Sequence, residues 1–405
     1  MRLFSKGIKL HKDLDIDFSV VTPNVSGDVY TFLCYLGQEY ELLVKEGSRV
    51  EKYTKIAIAG GIPVYASATG EFCGVCTFEL GDNTVLAAHI KNSGDYTPPF
   101  SALSHTDIPS SPMELLDLFK NAAIIDTFNK DYLCNTFGKH ITCESLILYA
   151  VDDNPYDVTS CAILCDFEEE VLEGLSIITR SLNIKNAVIM MQKNFKTERF
   201  FKKRYADIKV MRATDRYPAR FDALIYAKKH NSLIITPETC RAVYRAAVFK
   251  EPCVTKTVTV WGDAIDKPAA AQIPIGTTCA ELLDMFESHT QIGKIVAGGV
   301  MNGYLIMPND IITPFVDSIT VMSEGAKMPQ KGCITCGRCT AVCPVGLAPY
   351  YVLRRAAREG SSKAYFNFDL CLKCGCCSYV CPANIPLDTY IKLYNNERSK
   401  ADAQK

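Results

Sequence analysis

Cys333-Ile-Thr-Cys-Gly-Arg-Cys-Thr-Ala-Val-Cys-Pro344 and Cys371-Leu-Lys-Cys-Gly-Cys-Cys-Ser-Tyr-Val-Cys-Pro382 share one spacing. Each reads C-x2-C-x2-C-x3-C-P. Three thiolates so placed cap three corners of a 4Fe–4S cube, and the fourth cysteine of a run reaches the cube held by the other run. This assigns Cys333, Cys336, Cys339 and Cys381 to a first cluster, and Cys371, Cys374, Cys377 and Cys343 to a second. Pro344 and Pro382 turn the chain away after the last ligand, because proline fixes φ and does not continue a helix. Gly337 and Gly375 stand inside the loops, where backbone N–H groups must approach cluster sulfurs. A zinc ribbon would use paired cysteines, not triplets followed by Cys-Pro. Cys376 is an additional thiol in the second run and is read as packing rather than ligating.

The rest of the composition narrows the class. The chain has 405 residues, enough for several domains, and a formal net charge of −1. No basic run suggests a nucleic-acid surface. No apolar stretch reaches the ~20 residues of a membrane helix, and the start, Met1 to Lys12, has no apolar secretory core. A cytoplasmic location is therefore expected. Nineteen cysteines in a reducing compartment point to metal ligation rather than disulfides.

Outward from the cysteine runs, the pattern divides. Residues 1–95 read as β-structure with the rhythm of a lipoyl-type barrel-sandwich hybrid, but without an evident lysine to modify. Cys73 and Cys76 form a lone C-x2-C there, read as buried thiols. Residues 96–112 form a Pro/Ser-rich linker. Residues 113–252 alternate strands (Leu146–Val151, Ala187–Met191, Ile208–Met211, Ser232–Ile235) with helices (Phe167–Leu182, Ala219–His230, Pro237–Phe249), which predicts an open α/β domain. Residues 253–326 return to strands (Val254–Trp261, Lys294–Ala297, Ser318–Met322) with one helix at Cys279–Ser288. Residues 329–395 carry the cysteine runs. The expected fold is thus multidomain α/β plus β.

These segments together resemble the RnfC family of electron-transport subunits, with PduS and PrdC as relatives. The resemblance rests on the two cysteine runs, on Thr257-Val-Thr-Val-Trp-Gly-Asp-Ala264 with Ile275-Gly-Thr277, and on Gly298-Gly-Val-Met-Asn-Gly303. It implies a barrel-sandwich domain, a Rossmann-like domain related to the flavoprotein component of complex I, an SLBB β-grasp module, and a two-cluster ferredoxin module. It implies redox-protein partners and attachment to the cytoplasmic face of a membrane complex, without nucleic acid and without membrane insertion. The family also implies FMN and NADH. Here the chain departs: the glycine-rich loop is replaced by Asn121-Ala-Ala-Ile-Ile-Asp-Thr-Phe-Asn-Lys-Asp131, a second element by Tyr149-Ala-Val-Asp-Asp-Asn-Pro155, and a third by Thr236-Pro-Glu-Thr239. Without glycines the backbone cannot approach a phosphate, so the flavin and NADH site is read as degenerate, its pocket filled or closed by side chains. Asp152 and Asp153 are read as a solvated loop.

The function expected is a relay of electrons through two 4Fe–4S clusters between a redox partner protein and a terminal reductase or electron-transport complex, with no catalytic residue. The alternative is an NADH-oxidising flavin/iron–sulfur reductase with an altered pocket, and a third reading is a scaffold stapled by its clusters. Arg354, Arg355 and Arg358 follow the first run and suit an acidic partner or a solvated face equally. Cys134, Cys143, Cys161 and Cys165 gather near the altered region and are read as buried thiols. The six histidines are dispersed and carry no motif.

Overall fold

The structure, a computed structural model, describes residues 6–9, 19–94, 108–138, 142–154, 156–192, 208–288, 290–325, 329–356 and 368–403. Arg358 and residues 96–107 of the expected linker lie outside these, as do the side chains of Arg354 and Arg355.

The N-terminal β-rich part forms two sheets. Val29–Tyr35, Asn83–Asn92, Gly70–Leu80 and Arg49–Val50 make a four-stranded antiparallel sheet, and Tyr40–Leu42, Lys55–Ala59 and Ile62–Tyr65 a three-stranded one. Alternating inward residues such as Leu33, Ile56, Val64, Phe72 and Ile90 fill the space between them. That core does not stop at the sheets. It runs into Val258, Ile273, Ile295 and Val321 of a later six-stranded sheet, so the two β units share one apolar interior. The six-stranded sheet has the order Val20–Val21, Ala269–Pro274, Thr255–Trp261, Ser318–Ser323, Ile292–Ala297, Tyr304–Ile306.

Its first strand comes from the N-terminal stretch. Val20–Val21 runs parallel to Ala269–Pro274, and Ile8–Lys9 pairs with Arg216–Tyr217. Two pieces of the stretch before the barrel therefore stitch onto the β and α/β units. Nothing in two-residue segments signals such pairing in advance.

The α/β part is a four-stranded, all-parallel sheet in the order Lys209–Arg212, Asn186–Met191, Ser145–Ala150, Ser232–Ile235. Ser145–Ala150 is buried throughout, as a central strand covered on both faces should be. Glu168–Ser181 and Pro237–Phe249 pack together on one face, while Arg220–His230 covers the other. Helix starts follow their caps. Ser111, Thr236 and Thr278 each accept a backbone N–H three residues on, and a proline occupies the first turn after Ser111 and Thr236. The expected strands and helices of this part lie within a few residues of their sequence positions. The helices Pro112–Asn121 and Thr159–Asp166 and the strand Ala269–Pro274 were not expected, and the helix expected at Cys279–Ser288 ends at Leu283.

The C-terminal part has two short helices at the cysteine loops, Arg338–Val342 and Cys376–Tyr379, a further short helix, Tyr351–Ala356, a 3-10 turn, Phe368–Leu370, and a long helix, Leu387–Ala403. Phe368, Ile385, Leu387 and Ile391 pack with Cys339 and Cys377 into a small core. No helix among the described residues is long and apolar enough to cross a membrane.

Candidate iron–sulfur relay and adjoining cleft

The two cysteine loops adopt the same backbone. Thr335 and Gly337 have φ of 55° and 74°, and Lys373 and Gly375 have 52° and 73°. Two left-handed residues per loop coil the chain so that successive cysteines turn inward. They also aim backbone N–H groups at sulfur: Thr335 donates to Cys333 Sγ at 3.4 Å, Lys373 to Cys371 Sγ at 3.4 Å, and Leu347 to Cys343 Sγ at 3.2 Å. Such bonds stabilise thiolate charge and tune cluster potential.

Cys333, Cys336 and Cys339 line one hollow of about 350 Å³ with Cys381 of the other run. Cys371 and Cys374 lie close enough to Cys343 to act on it electrostatically. Burial pushes the Cys371 thiol up, as it does Cys343, and pushes Cys377 up to about 12, with Asp388 and Cys374 adding to the effect on Cys377. Among the described residues, no three His, Cys, Asp or Glu side chains converge on a point that would hold a single metal ion. Cys333, Cys336, Cys339 and Cys381 ring a hollow instead, an arrangement that fits a cube with a ligand at each corner.

The two sets differ in exposure. Cys333 and Cys336 are exposed, with Ile334 66% exposed between them. Cys376 and Cys377 are buried, and the second loop is pressed into the body of the protein. The Tyr217 hydroxyl donates to the Cys374 carbonyl at 2.7 Å. A Cβ on Gly375 would stand 1.9 Å from the Met301 carbonyl oxygen, whereas one on Gly337 would meet nothing. Gly375 is thus glycine for close approach as well as for its positive φ. Cys376 packs with Ile8, Tyr217 and Met301, drawn from three distant stretches. Its thiol donates to the Tyr217 carbonyl at 3.8 Å. Its closeness to Cys374 draws the Cys374 thiol down to about 7, and the same neighbour, together with burial, holds Cys376 far above the ordinary thiol range.

Beyond Cys374 and Leu372 opens a cleft of about 940 Å³ at the carboxyl ends of the parallel strands, where open α/β sheets usually bind ligands. Its lining is mostly side chain, with Gly298 as the glycine among the described lining residues. Phe128 stacks edge-to-face on Tyr149 with ring centroids 5.2 Å apart, and Arg220 lies over the Phe128 ring at 4.7 Å. Asp152, Asp153, Asp157, Glu238 and Asp317 line it, with Lys130 and Arg220 as the cations among the described lining residues. Both cations are engaged, Lys130 with Asp317 and Arg220 with Asp153. Behind them Lys256, 1% exposed, bridges Glu238 at 2.5 Å and Asp317 at 2.8 Å. This excess of carboxylate, with no glycine cradle from residues 121–131, does not fit a phosphate-bearing flavin or nicotinamide nucleotide.

Three sequence expectations change here. Side chains of the altered loops line the cleft but leave it open. Asp152 and Asp153 are not a solvated loop: Asp152 is 7% exposed and accepts the N–H groups of Ser160 (2.7 Å) and Cys161 (3.2 Å), while Asp153 accepts the Tyr149 hydroxyl and the Arg220 N–H, each at 2.8 Å. Burial and the Asp153 carboxylate hold the Tyr149 phenol well above its usual range. Cys73, Cys76, Cys134 and Cys165 are only partly buried, unlike Cys143 and Cys161. Tyr217, Met301 and Lys256 belong to the site and were not expected from sequence.

Residues 332–385 match the 4Fe–4S dicluster domain family. Over most of its length the chain is similar to the C subunit of the ion-translocating oxidoreductase complex. It is 27% identical over 365 residues to the protein of Yersinia enterocolitica serotype O:8 (82% of this chain, 52% of that protein). It is 26% identical over 350 residues to that of Rhodobacter capsulatus (78% and 67%). The chain spans about half the length of the Yersinia relatives it matches. A crystal structure of NAD+-reducing NiFe hydrogenase in the air-oxidized state aligns with 62% of this chain and 50% of its own, with a TM-score of 0.43 and 10% identity. The resemblance read from the cysteine runs is borne out by these oxidoreductase-complex relatives.

Proposed function

We propose that the chain is an electron-transfer subunit of an ion-translocating oxidoreductase complex, passing electrons through two cysteine-held 4Fe–4S clusters. The observation that carries this reading is the hollow lined by Cys333, Cys336, Cys339 and Cys381, three ligands from one run and one from the other. When bound, the clusters supply one-electron storage and transfer. Cys333, Cys336, Cys339 and Cys381 hold the first, and Cys371, Cys374, Cys377 and Cys343 the second. Thr335, Lys373 and Leu347 fix sulfur orientation through their N–H groups.

The exposed edge at Cys333, Ile334 and Cys336 is where a redox-protein partner docks, and the less exposed second set lies on the inner side, next to the cleft. In this reading residues 1–95 (barrel-sandwich), 113–252 (Rossmann-like) and 253–326 (β-grasp) present the 329–395 relay module to other subunits, peripheral to a membrane on the cytoplasmic side. FMN and NADH have no fitting cradle, so electrons arrive and leave through proteins.

Anaerobic purification followed by iron, zinc and flavin analysis and by reductant titration tests this. The expected result is about eight irons per chain, no stoichiometric FMN, no response to NADH, and full bleaching by dithionite. Zinc in place of iron would defeat the relay reading. Bound FMN with bleaching by NADH would make the chain an NADH-oxidising reductase instead.

A further inference from the structure

Charge is spread unevenly over the cluster module. Residues 325–358, which carry the first cysteine run, hold six basic side chains and no acidic one, whereas residues 369–403, which carry the second, hold four of each. In the second stretch Arg398 pairs with Asp369, and Lys392 with Asp82 of the N-terminal β part. In the first, Lys331 and Arg338 are exposed and form no ion pair with any described residue. Both stand at the rim of the first hollow. Arg338 lines it, the one charged side chain among the described lining residues. Lys331 is pinned beside it, because its N–H donates at 2.9 Å to the carbonyl of Ala383, another lining residue. Between them in sequence Ile334 is 66% exposed, next to Cys333 and Cys336, themselves exposed.

A cube held by four thiolates is an anion, so a bare cluster edge repels other anions. Unpaired cations around that edge reverse the local field and raise the encounter rate of negatively charged carriers. An apolar centre inside a polar rim is the anatomy of a docking patch, and electron-transfer contacts are small, so a few residues suffice. The exposed thiols at its centre favour a redox protein over a lipid surface, which has no electron to exchange. We propose that the edge formed by Cys333, Ile334 and Cys336 docks an acidic one-electron carrier, a small protein with carboxylates around its own redox centre, Lys331 and Arg338 supplying the charge contacts and Ile334 the apolar centre. One electron crosses there: the carrier is oxidised by one electron as the first cluster is reduced by one, or the reverse, and no bond forms or breaks. This inference rests on the relay reading above.

The test uses the full-length, cluster-loaded chain, with plastocyanin as an acidic carrier, cytochrome c as a basic one, and iron measured on every sample. The native chain is compared with Lys331→Glu/Arg338→Glu and with a control of equal charge change, Lys228→Glu/Lys229→Glu. The control lies in the last turn of the helix Arg220–His230, at the end of the α/β sheet opposite the cleft. Two quantities are read at low salt: calorimetric binding of oxidised plastocyanin to the oxidised chain, and stopped-flow oxidation of the dithionite-reduced chain by each carrier. The rim variant is expected to bind plastocyanin about tenfold more weakly and to pass electrons to it about tenfold more slowly, to react faster with cytochrome c, and to differ in all three from the control. Binding and rate with plastocyanin that the rim variant leaves unmoved would overturn the proposal. An equal loss in the control would do the same, as would a change of one sign with both carriers, which a rim that merely offsets cluster charge predicts. Phosphatidylglycerol vesicles that bind the native chain but not the rim variant, with plastocyanin unaffected, would make the rim a lipid contact and overturn it too. Should the double variant lose iron, Lys331→Glu alone, outside the cysteine run, is read by the same criteria. Native protein without iron overturns the relay reading and this inference with it, whereas loaded protein whose carrier preference ignores the rim overturns this inference alone.

Discussion

Cys343 and Cys381 each close one cysteine run in sequence, yet in space each lies beside thiols of the other run. Cys381 lines the hollow of Cys333, Cys336 and Cys339, and Cys343 lies beside Cys371 and Cys374. Double substitutions test the ligand sets proposed from this arrangement. Cys333→Ala with Cys381→Ala removes two ligands of one proposed cluster and should leave about four irons, whereas Cys371→Ala with Cys381→Ala should leave almost none. Iron analysis giving the opposite pattern would mean that each run ligates its own cluster. The spacing carried this much information because thiol chemistry at short sequence separation is local. Cys376 was read as a packing thiol and packs as one, but its partners Tyr217 and Met301 are remote in sequence, so the spacing could not name them.

Among elements, the two cysteine loops are alike in backbone and unlike in surroundings. Gly337 and Gly375 have φ of 74° and 73°, so alanine at either is strained by about 1–2 kcal/mol. Gly337→Ala should cost no more than that, for its Cβ would point into open space. Gly375→Ala adds a 1.9 Å approach to the Met301 carbonyl oxygen, and should undock the second loop and selectively lose iron from the second cluster. Paired denaturation and iron measurements check this, and equal losses in the two variants would refute the docking role. The glycines were legible from sequence as loop residues. Which of them meets another part of the protein was not, because the contact is made by a turn far away in the chain. The parallel strands were legible for a plainer reason: Ser145–Ala150 and Ser232–Ile235 are continuous buried runs, which is what a sheet covered on both faces requires.

In the molecule as a whole, the cleft is braced by charge. Lys256, from the six-stranded sheet, is 1% exposed and ties Glu238 of the α/β part to Asp317. Lys256→Met would leave Glu238 without its lysine and Asp317 with Lys130 alone, and should destabilise the fold by at most about 3–5 kcal/mol. Chemical denaturation measures it, and a variant as stable as the native protein would refute the bracing role. The cysteine spacing, the loss of glycines in 121–131 and the strand–helix alternation are local patterns, and from them come the ligand sets proposed here, the expectation of an altered flavin cradle and the mixed α/β class with a C-terminal dicluster domain. Only the tertiary structure decided that Val20–Val21 and Ile8–Lys9 join distant sheets, that a cleft survives and is acidic, and that one cysteine loop is exposed while the other is seated on Tyr217 and Met301. Those outcomes depend on contacts between residues far apart in the chain, and neither hydrophobic period nor residue spacing encodes them.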